Sequence, residues 1–176
     1  MSRTRSLLAS LLIAGVAAVP PTIASAQCVP AAFPPNWLQA QEVAGGHTIA
    51  RHVNQPIQNL INRVLNGVAA AGSYPSVPVA EAAIINALTA NAVILNNWRA
   101  AGGFGGGPVN VGATTAFNAT RPANIGVVAY GVGNPPNAVS TSQTCAFRVV
   151  MRAQGGNTCR LLTSYPRPAT PGDHCP

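Results

Sequence analysis

A chain of 176 residues has room for one domain. With 48% hydrophobic and only 7% charged residues, it is no disordered charged tail and should bury a packed core. All ten basic residues are arginine, set against only Glu42, Glu81 and Asp173, for a formal net charge of +7. So few acids exclude a paired-carboxylate glycosidase or a carboxylate-rich metal cluster, and the basic surplus points to a polyanionic partner, nucleic acid or an anionic surface.

The N-terminus reads as a secretory signal peptide over residues 1–26: a basic start from Met1 to Ser6, an apolar run from Leu7 to Val19, and the small-residue cleavage site Ala24-Ser25-Ala26. The apolar run is about 13 residues, short of the roughly 20 of a spanning helix, and Pro20-Pro21 interrupt it. Gln27 occupies the place where a lipidated Cys28 would need a small neighbour. A secreted or periplasmic protein is expected, a monomer with no membrane insertion once the leader is gone. Loss of Arg3 and Arg5 with the leader would take the charge from +7 to +5. The four cysteines, Cys28, Cys145, Cys159 and Cys175, all follow the leader and read as two disulfides. Three pairings are open. Because Cys28 and Cys175 lie near the two mature ends, at least one bridge should tie a terminus to the sheet. No C-x-x-C pair supports zinc.

Residues 27–41, with Pro30, Pro34 and Pro35, read as an irregular lead-in with Trp37 as a packing anchor, and the domain proper as 42–167. From Pro56, the apolar positions Ile57, Leu60, Ile61, Val64, Leu65 and Val68 follow the helical period, closed by Gly67 and Gly72. A second helix is expected from Pro78 to Arg99, capped by Ser76, with Glu81 at its positive end and a stripe of Ile84, Leu88, Ala92, Leu95 and Trp98. The glycine run 102–107 lacks the lysine and hydroxyl of a phosphate-binding loop and reads as linker. Strands are expected over Val109 to Phe117, Ile125 to Tyr130, Ala146 to Ala153 and Thr158 to Tyr165, the last two joined in a hairpin through Gln154-Gly155-Gly156-Asn157. Helices first and antiparallel strands after make an α+β fold. Residues 168–176 form a Pro-rich tail with Cys175 and an incidental His174.

Two of the three histidines, His47 and His52, fall in Gly45-Gly46-His47-Thr48-Ile49-Ala50-Arg51-His52-Val53. The glycines permit positive φ or close backbone approach, and a helix N-terminus nearby would push a histidine pKa toward the value that suits a general base. A zinc pair fits poorly, since i and i+5 stand about 140° apart around a helix. Arg63, roughly 130° from the centre of its helix's apolar stripe, borders the core and can reach an anion. Thr163 and Tyr165, two apart in the last strand, turn both hydroxyls to one face, with Leu162 and Ser164 on the other.

These segments, with Asn97-Trp98 ending the second helix and Leu161-Leu162-Thr163-Ser164-Tyr165-Pro166 at the end, resemble the bacterial RNase A-like toxin domain at the C-terminus of contact-dependent growth inhibition effectors. The resemblance spans about residues 42–167. It implies an RNase A-type fold, a ribonuclease working without metal or cofactor, often on tRNA, and an immunity protein as partner. The positions it implies are His52 as base, Arg63 for phosphorane charge, Thr163 for a base or phosphate oxygen and Tyr165 to orient the phosphate or assist the leaving oxygen, with His47 beside them. The chain departs from that family at Asn54, commonly glycine, and at Gln55, where a basic residue often follows. Its own leader and four cysteines set it apart as well. Two other classes compete with a secreted ribonuclease. One is a disulfide-stapled cationic module that binds an anionic polymer. The other is an envelope-active protein, disfavoured because Arg51, Arg63 and Arg99 are scattered.

Overall fold

The computed structural model describes residues 27–101, 109–133, 138–156 and 158–175. The segment expected to be a signal peptide and the glycine run 102–107 lie outside them. In chain order the elements are α1 (Trp37–Val43), α2 (Thr48–His52), α3 (Ile57–Leu65), β1 (Ala70–Ser73), α4 (Val77–Ala90), α5 (Ala92–Ala101), β2 (Thr114–Thr120), β3 (Gly126–Val132), β4 (Ala138–Thr144), β5 (Ala146–Ala153) and β6 (Cys159–Pro166). The strands form two three-stranded antiparallel sheets, ordered β1-β3-β4 and β2-β5-β6. The fold is α+β, as its sequence pattern implies.

Each sheet buries its own helix. Ala80, Ala83, Ile84, Ala87 and Leu88 of α4 share an apolar cluster with Phe147, Val149 and Met151 of β5 and Leu161 of β6. The alternation along β5 explains this, because residues two apart share a face. On the smaller sheet, Leu60 and Val64 of α3 pack on Ala71 and Ala129. The sheets meet where β1 passes β6, so closely that a Cβ on Gly72 would overlap the carbonyl oxygen of Pro166. Tyr74, fully buried just after β1, spans this seam: its hydroxyl donates to Ser164 Oγ at 2.7 Å, and Ser164 Oγ donates to the Arg148 carbonyl at 2.9 Å.

Both disulfides tie a terminus to the larger sheet: Cys28 to Cys159 at the start of β6, and Cys175 to Cys145 just before β5. Beside the second bridge, Asp173 pairs with Arg167 and accepts from Thr170.

Several elements differ from expectation. The lead-in is helical from Trp37, which is buried as an anchor, with Phe33 edge-on to it at 5.0 Å. The second helix is two helices bent by 68°, broken at Asn91, whose side chain donates back to the Ala87 carbonyl at 2.8 Å and stops α4. Ser76 holds the N-cap position without a side-chain hydrogen bond, and Glu81 accepts the Leu38 N–H at 2.9 Å, linking α1 to α4. Gly72 does not close α3. It lies inside β1, where only a glycine lets the sheets touch.

Candidate active site

The histidine segment is fixed to β6 before it forms its short helix. Gly45 adopts φ +93, and a Cβ on Gly46 would come within 2.8 Å of the Gln41 carbonyl and 2.9 Å of the Leu161 carbonyl. Glycine at both places lets the chain run along the edge of β6. His47 N–H donates to the Leu162 carbonyl at 3.0 Å, and Ser164 N–H donates to Thr48 Oγ1 at 2.9 Å. The Glu42 carboxylate accepts the N–H groups of Ile49 and Ala50 at 3.0 and 2.9 Å, capping the positive end of α2 from outside.

The far end of α2 is fixed to the other sheet. Tyr74 N–H donates to the His52 carbonyl and Asn54 N–H to the Tyr74 carbonyl, each at 2.8 Å. Asn54 adopts φ 52, the left-handed region that favours glycine and that asparagine also tolerates. That conformation accounts for the glycine-to-asparagine departure noted above. Gln55 Nε2 donates to the carbonyls of Ala50 and Val53 at 3.1 Å, closing the end of the helix.

His52 thereby lies in the seam, 6% exposed, with Nδ1 3.2 Å from the Gly72 carbonyl. A carbonyl only accepts, so Nδ1 carries the proton and Nε2 keeps its lone pair. The ring stands 5.1 Å from the Tyr165 ring, centroid to centroid. Its pKa is pushed down to about 4, first by burial and then by the nearby Arg63, His47 and Arg51, against the Gly72 hydrogen bond. The expected helix N-terminus is not the cause: His52 ends α2, and burial dominates. His47 holds the N-cap position of α2, its pKa lowered by burial and Arg51 and raised by Glu42.

Arg63, in the last turn of α3, donates from Nη1 to the Arg51 carbonyl at 3.3 Å, and its charge reaches His52. Thr163 is 8% exposed, and its buried Oγ1 has no hydrogen-bond partner within the protein. Tyr165 stands across from Arg148 of β5. So α2, α3 and β6 gather His52, Arg63, Thr163 and Tyr165, with His47 at the opposite end of the short helix. Among the described residues no three His, Cys, Asp or Glu side chains come together as a metal site would require. Of the two residues that hold His52 in place, Tyr74 was not singled out from the sequence, and Gly72 was read there only as a helix end. Arg148 was also passed over; it shares Tyr165's face of the sheet because the two are paired across β5 and β6.

The sequence profile of the bacterial CdiA-CT RNAse A domain family matches residues 46–166, a span that begins at Gly46 and ends at the last residue of β6. The chain belongs to this family. Its fold is similar to a chain in the crystal structure of a CdiA-CT/CdiI complex from Y. kristensenii 33638, at a TM-score of 0.56 and 22% identity, over 70% of this chain and 100% of that one. No curated protein matches it in sequence. Within the CdiA-CT RNAse A domain, the matched span takes in all five residues singled out above and leaves Cys28 and Cys175 outside it.

Proposed function

We propose that this CdiA-CT RNAse A domain is an exported endoribonuclease that works without metal or cofactor and leaves a 2′,3′-cyclic phosphate. The observation that carries the reading is the convergence of His52 and Tyr165 beside the unpartnered hydroxyl of Thr163. His52, neutral at pH 7, takes the 2′-hydroxyl proton on Nε2 while the 2′-oxygen bonds to phosphorus. Arg63 stabilises the charge that builds on the phosphorane oxygens, and Thr163 donates to a phosphate oxygen or holds the base. The bond from phosphorus to the 5′-oxygen breaks, and the Tyr165 hydroxyl orients the phosphate or supplies the leaving oxygen with a proton. His47 flanks this set. The catalytic domain spans 42–167, after a leader at 1–26. Disulfides suit a secreted or periplasmic protein, and RNA, tRNA among them, is the substrate. A cognate immunity protein is the expected partner in the producing cell, and the domain acts as a monomer.

The test is an RNA activity assay with EDTA present, with analysis of product ends. Wild-type protein should cut and yield cyclic phosphate ends. Folded His52→Ala should cut roughly 10²–10⁴-fold more slowly, and Arg63→Ala similarly. A folded His52→Ala protein with wild-type cleavage refutes the assignment. RNA binding with no cleavage by wild type would make the domain a cationic binding module.

A further inference from the structure

We infer that the open face of the β2-β5-β6 sheet carries a second phosphate site, formed by Arg152 and Arg160, that holds the RNA backbone beyond the scissile phosphate. The inference rests on the ribonuclease reading above. Along β5, Arg148, Val150 and Arg152 share one face by the two-residue period. Their partners on β6 are Tyr165, Thr163 and Arg160. Arg160 and Thr163 are three apart, so in an unbroken strand they would face opposite ways. The irregularity in register at Val150/Met151 leaves Leu162 as an extra residue in β6, and this bulge turns Arg160 onto the face of Thr163 and Tyr165.

A cavity of about 400 Å³ opens at that end, lined by Arg152 and Arg160 with Val111, Gly112, Gln154 and Gly155. Two guanidinium groups on directly opposed residues destabilise a sheet unless an anion lies between them. Among the described residues no carboxylate does so. Glu42 serves the start of α2, Glu81 the Leu38 N–H, and Asp173 pairs with Arg167. Arg152 Nε donates to the Gly112 carbonyl at 3.2 Å, while the buried Arg160 Nε has no partner. Gly45 makes room for the second guanidinium, since a Cβ there would lie 2.6 Å from Arg160 Nη1. Arg152 is two same-face steps, about 13 Å, along β5 from Arg148 and Tyr165, so it meets a phosphate other than the one being cut.

The probes are a dinucleotide and an octamer of 2′-O-methyl RNA, whose binding is followed by fluorescence anisotropy across salt concentrations. Each phosphate neutralised on a single strand steepens the dependence of log affinity on log salt by about 0.7. With the wild type, the octamer slope should exceed the dinucleotide slope by at least about 0.7. The Arg152→Gln/Arg160→Gln variant should lose about 0.7 from the octamer slope and bind the octamer roughly 5-fold more weakly at 0.1 M salt. Its dinucleotide affinity should be unchanged and its melting temperature no lower, because a like-charge pair has been removed. Equal wild-type slopes for the two oligomers, or unchanged octamer affinity in the folded variant, overturn the inference. If the variant does not fold, the wild-type slopes decide alone. These oligomers cannot be cleaved, so failure of the ribonuclease reading shows separately, as an unmodified RNA octamer left intact by the wild type.

Discussion

The two sheets differ in how firmly they are built. The β2-β5-β6 sheet has the deep core of Phe147, Val149, Met151 and Leu161 under α4 and both disulfides. The β1-β3-β4 sheet has a small apolar cluster of Leu60, Val64, Ala71 and Ala129, with Val128 buried besides, and no covalent tie. The candidate site draws on both. Thr163 and Tyr165 stand on the firm sheet, Arg63 on the helix of the lighter one, and His52 between them, on a short helix bonded to Ser164 at one end and Tyr74 at the other. A site divided in this way keeps its geometry only while the lighter sheet stays docked, and local opening should begin there.

Removing the staples should have the largest effect. By loop-closure entropy, the Cys28–Cys159 bridge, spanning 131 residues, contributes about 5 kcal/mol, and the Cys145–Cys175 bridge, spanning 30, about 3.5 kcal/mol. Urea unfolding of the two paired Cys→Ala variants should rank them in that order. Next come matched truncations. Leu60→Ala and Leu161→Ala should each cost roughly 2–5 kcal/mol. Hydrogen exchange separates them: Leu60→Ala should speed exchange in α3, β1 and β3 alone, whereas Leu161→Ala should loosen both sheets. Equal patterns would mean that the sheets open as one unit.

The seam has its own pH signature. His52 has a folded pKa of about 4, below its ordinary 6.5, because burial disfavours the charged ring. Between those values the unfolded chain binds the proton and the folded one does not. Stability from this group is therefore complete above about pH 6.5 and declines as pH falls, by about 3 kcal/mol on reaching pH 4. His52→Gln should abolish that decline in urea midpoints measured at pH 7 and pH 4.5. The acid limb of kcat/KM should likewise lie near 4 rather than 6.5. Tyr74→Phe should have the smallest effect, removing one buried hydrogen bond across the seam for about 1 kcal/mol. Its melting curve should shift by only a few degrees, with cleavage reduced in KM less than in kcat.

Much of the firm sheet was legible in the sequence. β5 and β6 have strong alternation and a glycine hairpin, and the cysteine count announced two staples. Of the lighter sheet only β3 was legible, as the strand expected over Ile125 to Tyr130; β1 and β4 were not. Ala70–Ser73 has small residues because β1 must approach β6, and that need erases the apolar signal of a strand. β4, with its run of serine and threonine, looks like loop, since its pairing is settled by β3 and not by burial. The break at Asn91 was hidden by an apolar stripe that continues through it, and the bulge at Leu162 by a two-residue period that holds on each side. His52, Arg63, Thr163 and Tyr165 were identifiable by type and by resemblance. Tyr74, Gly72 and Arg148 were not, because their roles exist only through register and the contact between the sheets.

The two bridges overlap in sequence, so the chain from Cys28 to Cys175 is a pair of fused covalent rings that share the β5 segment. A single backbone cut between those cysteines opens one ring, or both where it falls in the shared segment, without separating the pieces. Nicked protein should therefore keep its full mass until a reductant is added, and only then divide into two fragments. His52 and Arg63 lie in one ring and Thr163 and Tyr165 in the other, so the shared β5 joins the two halves of the site through covalent bonds as well as through packing.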